Sequence, residues 1–168
     1  MNFLSLAKER YSVRKFKEDI VEESKIGEIL EAGRFAPTAH NSQPQRIKVI
    51  TSKEELLKVD ECTPCRFEAP LMLLICYDKN LSWKRSFDNK DSGYVNASIV
   101  TTHMMLAAWE IGLCSCWVMY FDPDKTRELF SLPDNLIPVA FMPIGYPEDD
   151  AMPSDSHSKR YDIKDLLI

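Results

Sequence analysis

The chain has 168 residues, 45% of them hydrophobic and 28% charged, with a net charge of −5 and a pI near 5.3. That length suits one domain spanning residues 1–168, the apolar fraction excludes a disordered chain, and the acidic balance argues against a general nucleic-acid binder. No stretch reaches the roughly 18 apolar residues of a membrane span, the start MNFLSLAKERY lacks a signal-peptide pattern, and an odd count of five cysteines reads as reduced thiols of a cytoplasmic protein.

Residues 2–9 read as a short helix with Phe3, Leu4, Leu6 and Ala7 apolar. The strip Arg10-Tyr11-Ser12-Val13-Arg14-Lys15-Phe16 follows. Extended backbone places Arg10, Ser12 and Arg14 on one face and turns Val13 inward, because strand side chains alternate. Two guanidinium forks with a hydroxyl between them match the oxygens of a phosphate. The same strip also reads as a solvated basic turn. Its acidic background favours a small anionic ligand over a polyanion.

Residues 22–35 carry Ile26, Ile29, Leu30 and Gly33 at helical spacing, and Pro37 stops the helix. The loop that follows, Thr38-Ala39-His40-Asn41-Ser42-Gln43-Pro44-Gln45, offers amides and hydroxyls that both donate and accept. It is either an ordinary polar turn or a contact for a heteroaromatic ring edge. Residues 46–51 alternate as a strand, and Ser52 is placed to cap a helix over 53–60. The apolar run 70–77, bounded by Pro70 and Asp78, reads as a strand buried on both faces.

Residues 78–90 read as a polar linker with Trp83 and Phe87. The longest periodic segment is 91–111, with one stripe of Val95, Ile99, Thr102, Leu106 and Trp109 and further apolar cover from Ala97, Val100 and Met104. A helix apolar nearly all round is buried on most sides, which predicts a central helix that also meets a partner chain. Gly112 fits the position just past its end. Residues 114–120 read as a third strand, Asp122-Pro123 opens a helix through Phe130, and 137–145 read as a fourth strand. In the polar tail, Ile163, Leu166, Leu167 and Ile168 are suited to packing on a neighbour. The order of elements predicts an α+β domain with about four strands and a long core helix.

Several motifs carry little. Cys62-Thr63-Pro64-Cys65 has dithiol spacing but lacks the strand and following helix of a thioredoxin-like site, and incidental thiols are the plain alternative. His40, His103 and His157 are scattered, so no zinc or other metal site is expected. There is no Gly-rich phosphate loop and no nucleophile elbow. A phosphate would therefore be held by side chains, which raises the weight on Arg10, Ser12 and Arg14.

Taken together, RYSVRKF at 10–16, APTAHNSQPQ at 36–45, the run at 70–77, DSGYVNASIVTTHMMLAAWEIGLCSCWV at 91–118, IPVAFMPIGYP at 137–147 and the terminal SKRYDIKDLL resemble the nitroreductase family. The resemblance covers nearly the whole chain. It implies a mainly antiparallel central sheet flanked by helices, a long buried helix at a homodimer interface, and FMN bound between the subunits. It implies that Arg10, Ser12 and Arg14 hold the phosphate and ribityl chain, joined by Arg160 or Lys159. Pro37, Thr38, Ala39, Asn41 and Gln43 would contact the ring from the partner subunit, with Ser115 and Cys116 near the flavin. No residue is expected to act as a catalytic acid, base or nucleophile.

The implied activity is hydride transfer from NADH or NADPH through FMN to a nitroaromatic, quinone or similar small acceptor, by ping-pong turnover. The alternative is a flavin-binding or redox-sensing protein without nicotinamide-driven turnover, reporting through Cys62 and Cys65. The chain departs from the family pattern at Gln45, where Trp is frequent, and at Cys114, where Gly is frequent. It also lacks the longer insertions that larger members fold over the flavin.

Overall fold

The structure is a computed structural model and describes residues 2–168. The elements in order are α1 (Phe3–Glu9), α2 (Glu23–Arg34), β1 (Gln45–Ile50), α3 (Lys53–Cys62), β2 (Leu71–Asp78), α4 (Gly93–Glu110), β3 (Cys114–Ser115), α5 (Pro123–Leu129) and β4 (Leu136–Gly145). Short 3₁₀ turns lie at Ala39–Asn41 and Ile163–Leu166. The four strands form one antiparallel sheet in the order β1-β2-β4-β3. This is the expected α+β architecture.

Local chemistry accounts for the boundaries. Asn2 caps α1 by accepting the Ser5 amide at 2.9 Å, and Ser52 caps α3 by accepting the Glu55 amide at 3.3 Å. Asp122 accepts the amides of Asp124 and Lys125 at 3.0 and 2.9 Å, with Pro123 next, where its missing N–H costs nothing. Gly112 ends α4 with φ +81°, a conformation that a Cβ disfavours.

The sheet separates two apolar layers. On one side Leu71, Leu73, Ile75 and Tyr77 of β2 pack with α2 and α4 through Ile29, Ala97, Val100 and Met104. On the other, Met72, Leu74 and Cys76 pack with Val13, Phe16, Val59, Cys114, Cys116 and Phe141. Alternation along β2 therefore serves both layers, which explains its unbroken apolar run. Within α4 the buried face is Gly93, Asn96, Ala97, Val100, Thr101, Met104, Met105 and Ala108, whereas Tyr94 and Val95 are exposed.

Two expectations need correction. The strand predicted over 114–120 pairs continuously with β4 only at Cys114 and Ser115, and resumes as one isolated bridge, Val118 with Phe141. Opposite the gap stands Pro143, which accepts the Cys116 amide at 3.3 Å but has no N–H to return, so the ladder breaks. The segment predicted as a polar linker folds back as a tight turn. Lys84 bridges Asp91, and the Arg85 amide donates to the Lys90 carbonyl at 3.0 Å.

Candidate functional site

The basic strip lies along the sheet edge as extended backbone. Ser12 forms a parallel bridge with Ser115, and the Val13 amide donates to the Ser115 carbonyl at 3.1 Å. Val13 is buried in the layer below, which leaves Arg10, Ser12 and Arg14 facing outward. Tyr11 packs against the same apolar layer as Val13 and also borders the returning tail. Its hydroxyl donates to the Ala151 carbonyl at 2.9 Å, and its ring meets Trp109 and His157 edge-on. Burial raises its pKa, with Cys114 adding to the effect.

The chain from 148 to 160 runs back beside this strip. Together they enclose a cavity of about 170 Å³ lined by Arg10, Tyr11, Ser12, Arg14, Ser154, Ser156, His157 and Arg160. Among the described residues, its three guanidinium groups have only neutral partners: Arg10 lies 4.0 Å from Met105 Sδ, Arg14 donates to the Ser12 carbonyl at 3.3 Å, and Arg160 donates to the Lys159 carbonyl at 2.7 Å. Arg34, Arg66, Arg85 and Arg127, by contrast, each pair with a carboxylate. Three cations that lack acid partners among the described residues, around one small polar cavity, have the chemistry to receive an anion with several oxygens.

Ser115, the bridge partner of Ser12, and Cys116 next to it are both buried. Burial pushes the Cys116 thiol up, against the opposing pull of Arg14, a hydrogen bond with Ser12, and Arg10. Lys159 is exposed and does not line the cavity, so Arg160 is the residue of the pair that does. The expectation from sequence did not include Ser154, Ser156 or His157. Nothing local marked them, because they matter only once the tail returns to the strip.

The second candidate stretch, Pro37 to Gln43, packs elsewhere. The Ala39 amide donates to Asn96 Oδ1 at 2.9 Å, and His40 stacks on Trp83 with ring centroids 5.4 Å apart and planes 15° apart. Thr38 Oγ1 accepts the Gln43 amide at 3.1 Å, while Asn41 and Gln43 are exposed. His40, Asn41 and Gln43 hold φ values of 55°, 52° and 45°. Such left-handed residues cluster where function holds the backbone in a costly shape.

Arg10 touches α4 at Met105 and Ala39 touches it at Asn96. Those positions are nine residues apart, about 14 Å along a helix rising 1.5 Å per residue. Within one chain, therefore, the strip and the loop do not close on one another.

The nitroreductase family profile matches residues 7–65 and 63–146. The chain belongs to the nitroreductase family. A nitroreductase family protein of Clostridium difficile 630 is 44% identical and superposes with a TM-score of 0.94, over 100% of this chain and 98% of that one. A Methanothermobacter thermautotrophicus protein named for NADH dehydrogenase/NAD(P)H nitroreductase activity is 32% identical over 157 residues, covering 89% of this chain and 80% of its own. An FMN-dependent nitroreductase of Clostridium difficile R20291 is 26% identical, with a TM-score of 0.75 over 95% of this chain and 98% of that one.

The Cys62–Cys65 pair of this nitroreductase-family chain lacks the helix-N-terminal placement of a thioredoxin-like dithiol. Cys62 sits at the C-terminal end of α3, where burial first of all pushes its thiol up. A reactive dithiol needs the opposite, a thiol at a helix N-terminus with a lowered pKa. Among the described residues, no group of three His, Cys, Asp or Glu side chains is placed to hold a metal ion, and no helix is long and apolar enough to cross a membrane.

Proposed function

We propose that this chain is one FMN-binding domain, and that it works as a cytoplasmic homodimer that takes a hydride from NADH or NADPH and passes it to a nitroaromatic, quinone or similar small acceptor. The observation that carries the reading is the cavity bounded by Arg10, Arg14 and Arg160, three guanidinium groups without carboxylate partners among the described residues, with Ser12, Ser154 and Ser156 beside them. That donor set fits a phosphate monoester, which has three acceptor oxygens and up to two negative charges. Family membership and the FMN-dependent relative point to the same ligand.

Bound there, FMN supplies a ring that accepts a hydride from one substrate and delivers it to the next. The protein's part is to hold and orient. Arg10, Arg14 and Arg160 neutralise the phosphate, and Ser12 fixes its register. Lys159 adds positive field beside Arg160. Pro37, Thr38, Ala39, Asn41 and Gln43 meet the ring edge of the flavin held by the other subunit, and Ser115 and Cys116 lie beside the strip. No side chain is assigned a proton or a covalent step.

The dimer is supported by surface that one chain leaves uncovered. Tyr94 and Val95 of α4, Phe3 and Leu4 of α1, and Ile163, Leu166, Leu167 and Ile168 of the tail are all exposed. These exposed apolar side chains are available for an association surface. A dimer also gives the strip a second loop to face across the interface.

An anaerobic titration tests the reading. The purified or FMN-reconstituted protein is expected to be yellow, to bleach with NADH or NADPH, and to recover its colour with a nitroaromatic or quinone. Protein that takes up no FMN overturns the reading. Yellow protein that neither nicotinamide bleaches leaves binding without turnover.

A further inference from the structure

The loop that meets the proposed flavin ring is held in an unfavourable shape, and something must hold it there. His40, Asn41 and Gln43 all lie in the left-handed region, which Asn tolerates but which Gln43, above all, leaves unless its surroundings over-determine it. Most hydrogen bonds within residues 37–43 are local. Among the described residues, one hydrogen bond ties this stretch to a distant element: the Ala39 amide to Asn96 Oδ1, 2.9 Å, across 57 positions of sequence.

Asn96 is only 1% exposed on a mostly apolar face of α4 whose other polar member, Thr101, bonds back to its own helix at the Ala97 carbonyl. A buried amide there costs desolvation and helix propensity that Leu or Ala would not. Its own geometry is fixed from the other end. Nδ2 donates to Ser92 Oγ at 3.0 Å, Ser92 Oγ lies 3.4 Å from Ser82 Oγ, and Ser82 donates to Asp91 at 2.7 Å. The Ala39 N–H can only donate, so Oδ1 must face it, and Nδ2 is left to donate to Ser92, whose hydroxyl accepts.

We propose that Asn96 is a positioning residue: it clamps Ala39 and so holds residues 38–43 in the strained conformation that meets the flavin ring, thereby setting flavin affinity and potential. The proposal rests on the FMN reading above. Asn96 itself touches no flavin; it acts through the loop.

Two substitutions remove the same bond from opposite ends. Asn96→Leu deletes the acceptor at similar volume. Ala39→Pro deletes the donor, and Thr38 at φ −131°, ψ 151° already has the extended backbone that a residue before proline requires. Ala39 is half-buried and outside the core, so this variant keeps the question open if Asn96→Leu fails to fold. Each is expected to weaken FMN binding about tenfold by fluorescence quenching, as loss of one buried hydrogen bond does. Each should also shift the flavin midpoint potential and speed amide exchange at Asn41 and Gln43. The double variant should be no worse than either single one, because both remove one interaction. Asn96→Asp, which keeps an acceptor for the Ala39 amide and an oxygen to which the Ser92 hydroxyl can donate, should retain more affinity and slower exchange than Asn96→Leu.

Native-like affinity, potential and exchange in both single variants would overturn the proposal, as would fully additive effects in the double variant. Native protein that binds no FMN would fell the functional reading instead. Exchange at Asn41 and Gln43 in flavin-free protein then still decides whether Asn96 holds the loop: unchanged exchange overturns the clamp, and faster exchange supports it.

Discussion

Val13 and Ser115 are joined by a backbone hydrogen bond of 3.1 Å, and that bond sets which way the basic strip faces. It pins Val13 inward at 1% exposure and, by alternation, turns Ser12 and Arg14 toward the returning tail. The cavity between strip and tail is thus a consequence of strand geometry at a sheet edge.

The first prediction concerns charge. Arg14→Ala and Arg160→Ala should each weaken FMN binding by about 1.5–3 kcal/mol, the range for a hydrogen bond to a charged group. The loss should shrink as salt is raised, since both side chains are exposed and screened. Arg34→Ala, which removes a guanidinium already paired with Glu31, should leave affinity unchanged. Fluorescence titration at two ionic strengths measures all three.

Gly93→Ala should destabilise the fold. A Cβ at Gly93 would stand 2.1 Å from Tyr77 Cδ2, far inside van der Waals contact, and Tyr77 is itself buried in the central strand β2. Overpacking of this kind costs about 1–3 kcal/mol, or roughly 3–10 °C in Tm for a chain of this size. Calorimetry on the variant should show that drop, whereas Gly27→Ala, with nothing within 4 Å of the added atom, should not lower Tm.

Tyr146→Phe should alter stability in a pH-dependent way. Tyr146 donates to Glu22 Oε2 at 2.7 Å, and this hydrogen bond is the main reason the Glu22 carboxyl lies below its ordinary value of 4.5. A depressed carboxylate contributes stability above its unfolded pKa and loses it as pH falls through the folded one. The variant's Tm deficit should therefore be complete near pH 7 and fade below about pH 4.5. A deficit that persists unchanged at pH 3 would assign the effect to packing instead.

Cysteine labelling should follow burial. Cys65 is half-buried, whereas Cys62, Cys76, Cys114 and Cys116 are buried. Burial raises Cys76 to about 12 and Cys114 to about 11, which leaves almost no thiolate at neutral pH. Iodoacetamide at pH 7.5 should modify Cys65 first by mass spectrometry, and the other four only as the protein unfolds. Rapid labelling of Cys62 alongside Cys65 would revive a dithiol role.

Much of the architecture is legible along the chain. The buried run at 70–77, the alternation at 46–51, the serine cap at Ser52, the Asp122-Pro123 start and the Gly112 stop all became the elements they promised. Each depends on contacts within a few residues. The third strand failed because its partner position is Pro143, nearly thirty residues away in sequence, and no periodicity within 114–120 reports a missing donor on another strand. The turn at 84–91 was hidden by its polarity, since a bridge between Lys84 and Asp91 leaves no apolar signature.

The candidate site divides along the same line. Arg10, Ser12, Arg14, Asn41 and Arg160 are marked by residue chemistry and by family resemblance. Ser154, Ser156 and His157 are ordinary tail residues until the chain brings them beside the strip, held in part by Tyr11 donating to Ala151 across 140 positions.

By itself the sequence determined the periodic elements, their caps, and the supply of guanidinium and amide groups, because those follow from side-chain type and local spacing. Only the tertiary structure decided which guanidiniums go without a carboxylate, and that Ala39 answers to Asn96. It also decided that strip and loop touch one helix nine residues apart, about 14 Å at 1.5 Å per residue. Pairing and separation are properties of distant segments, and they take a value only when the chain has closed its two apolar layers around the sheet.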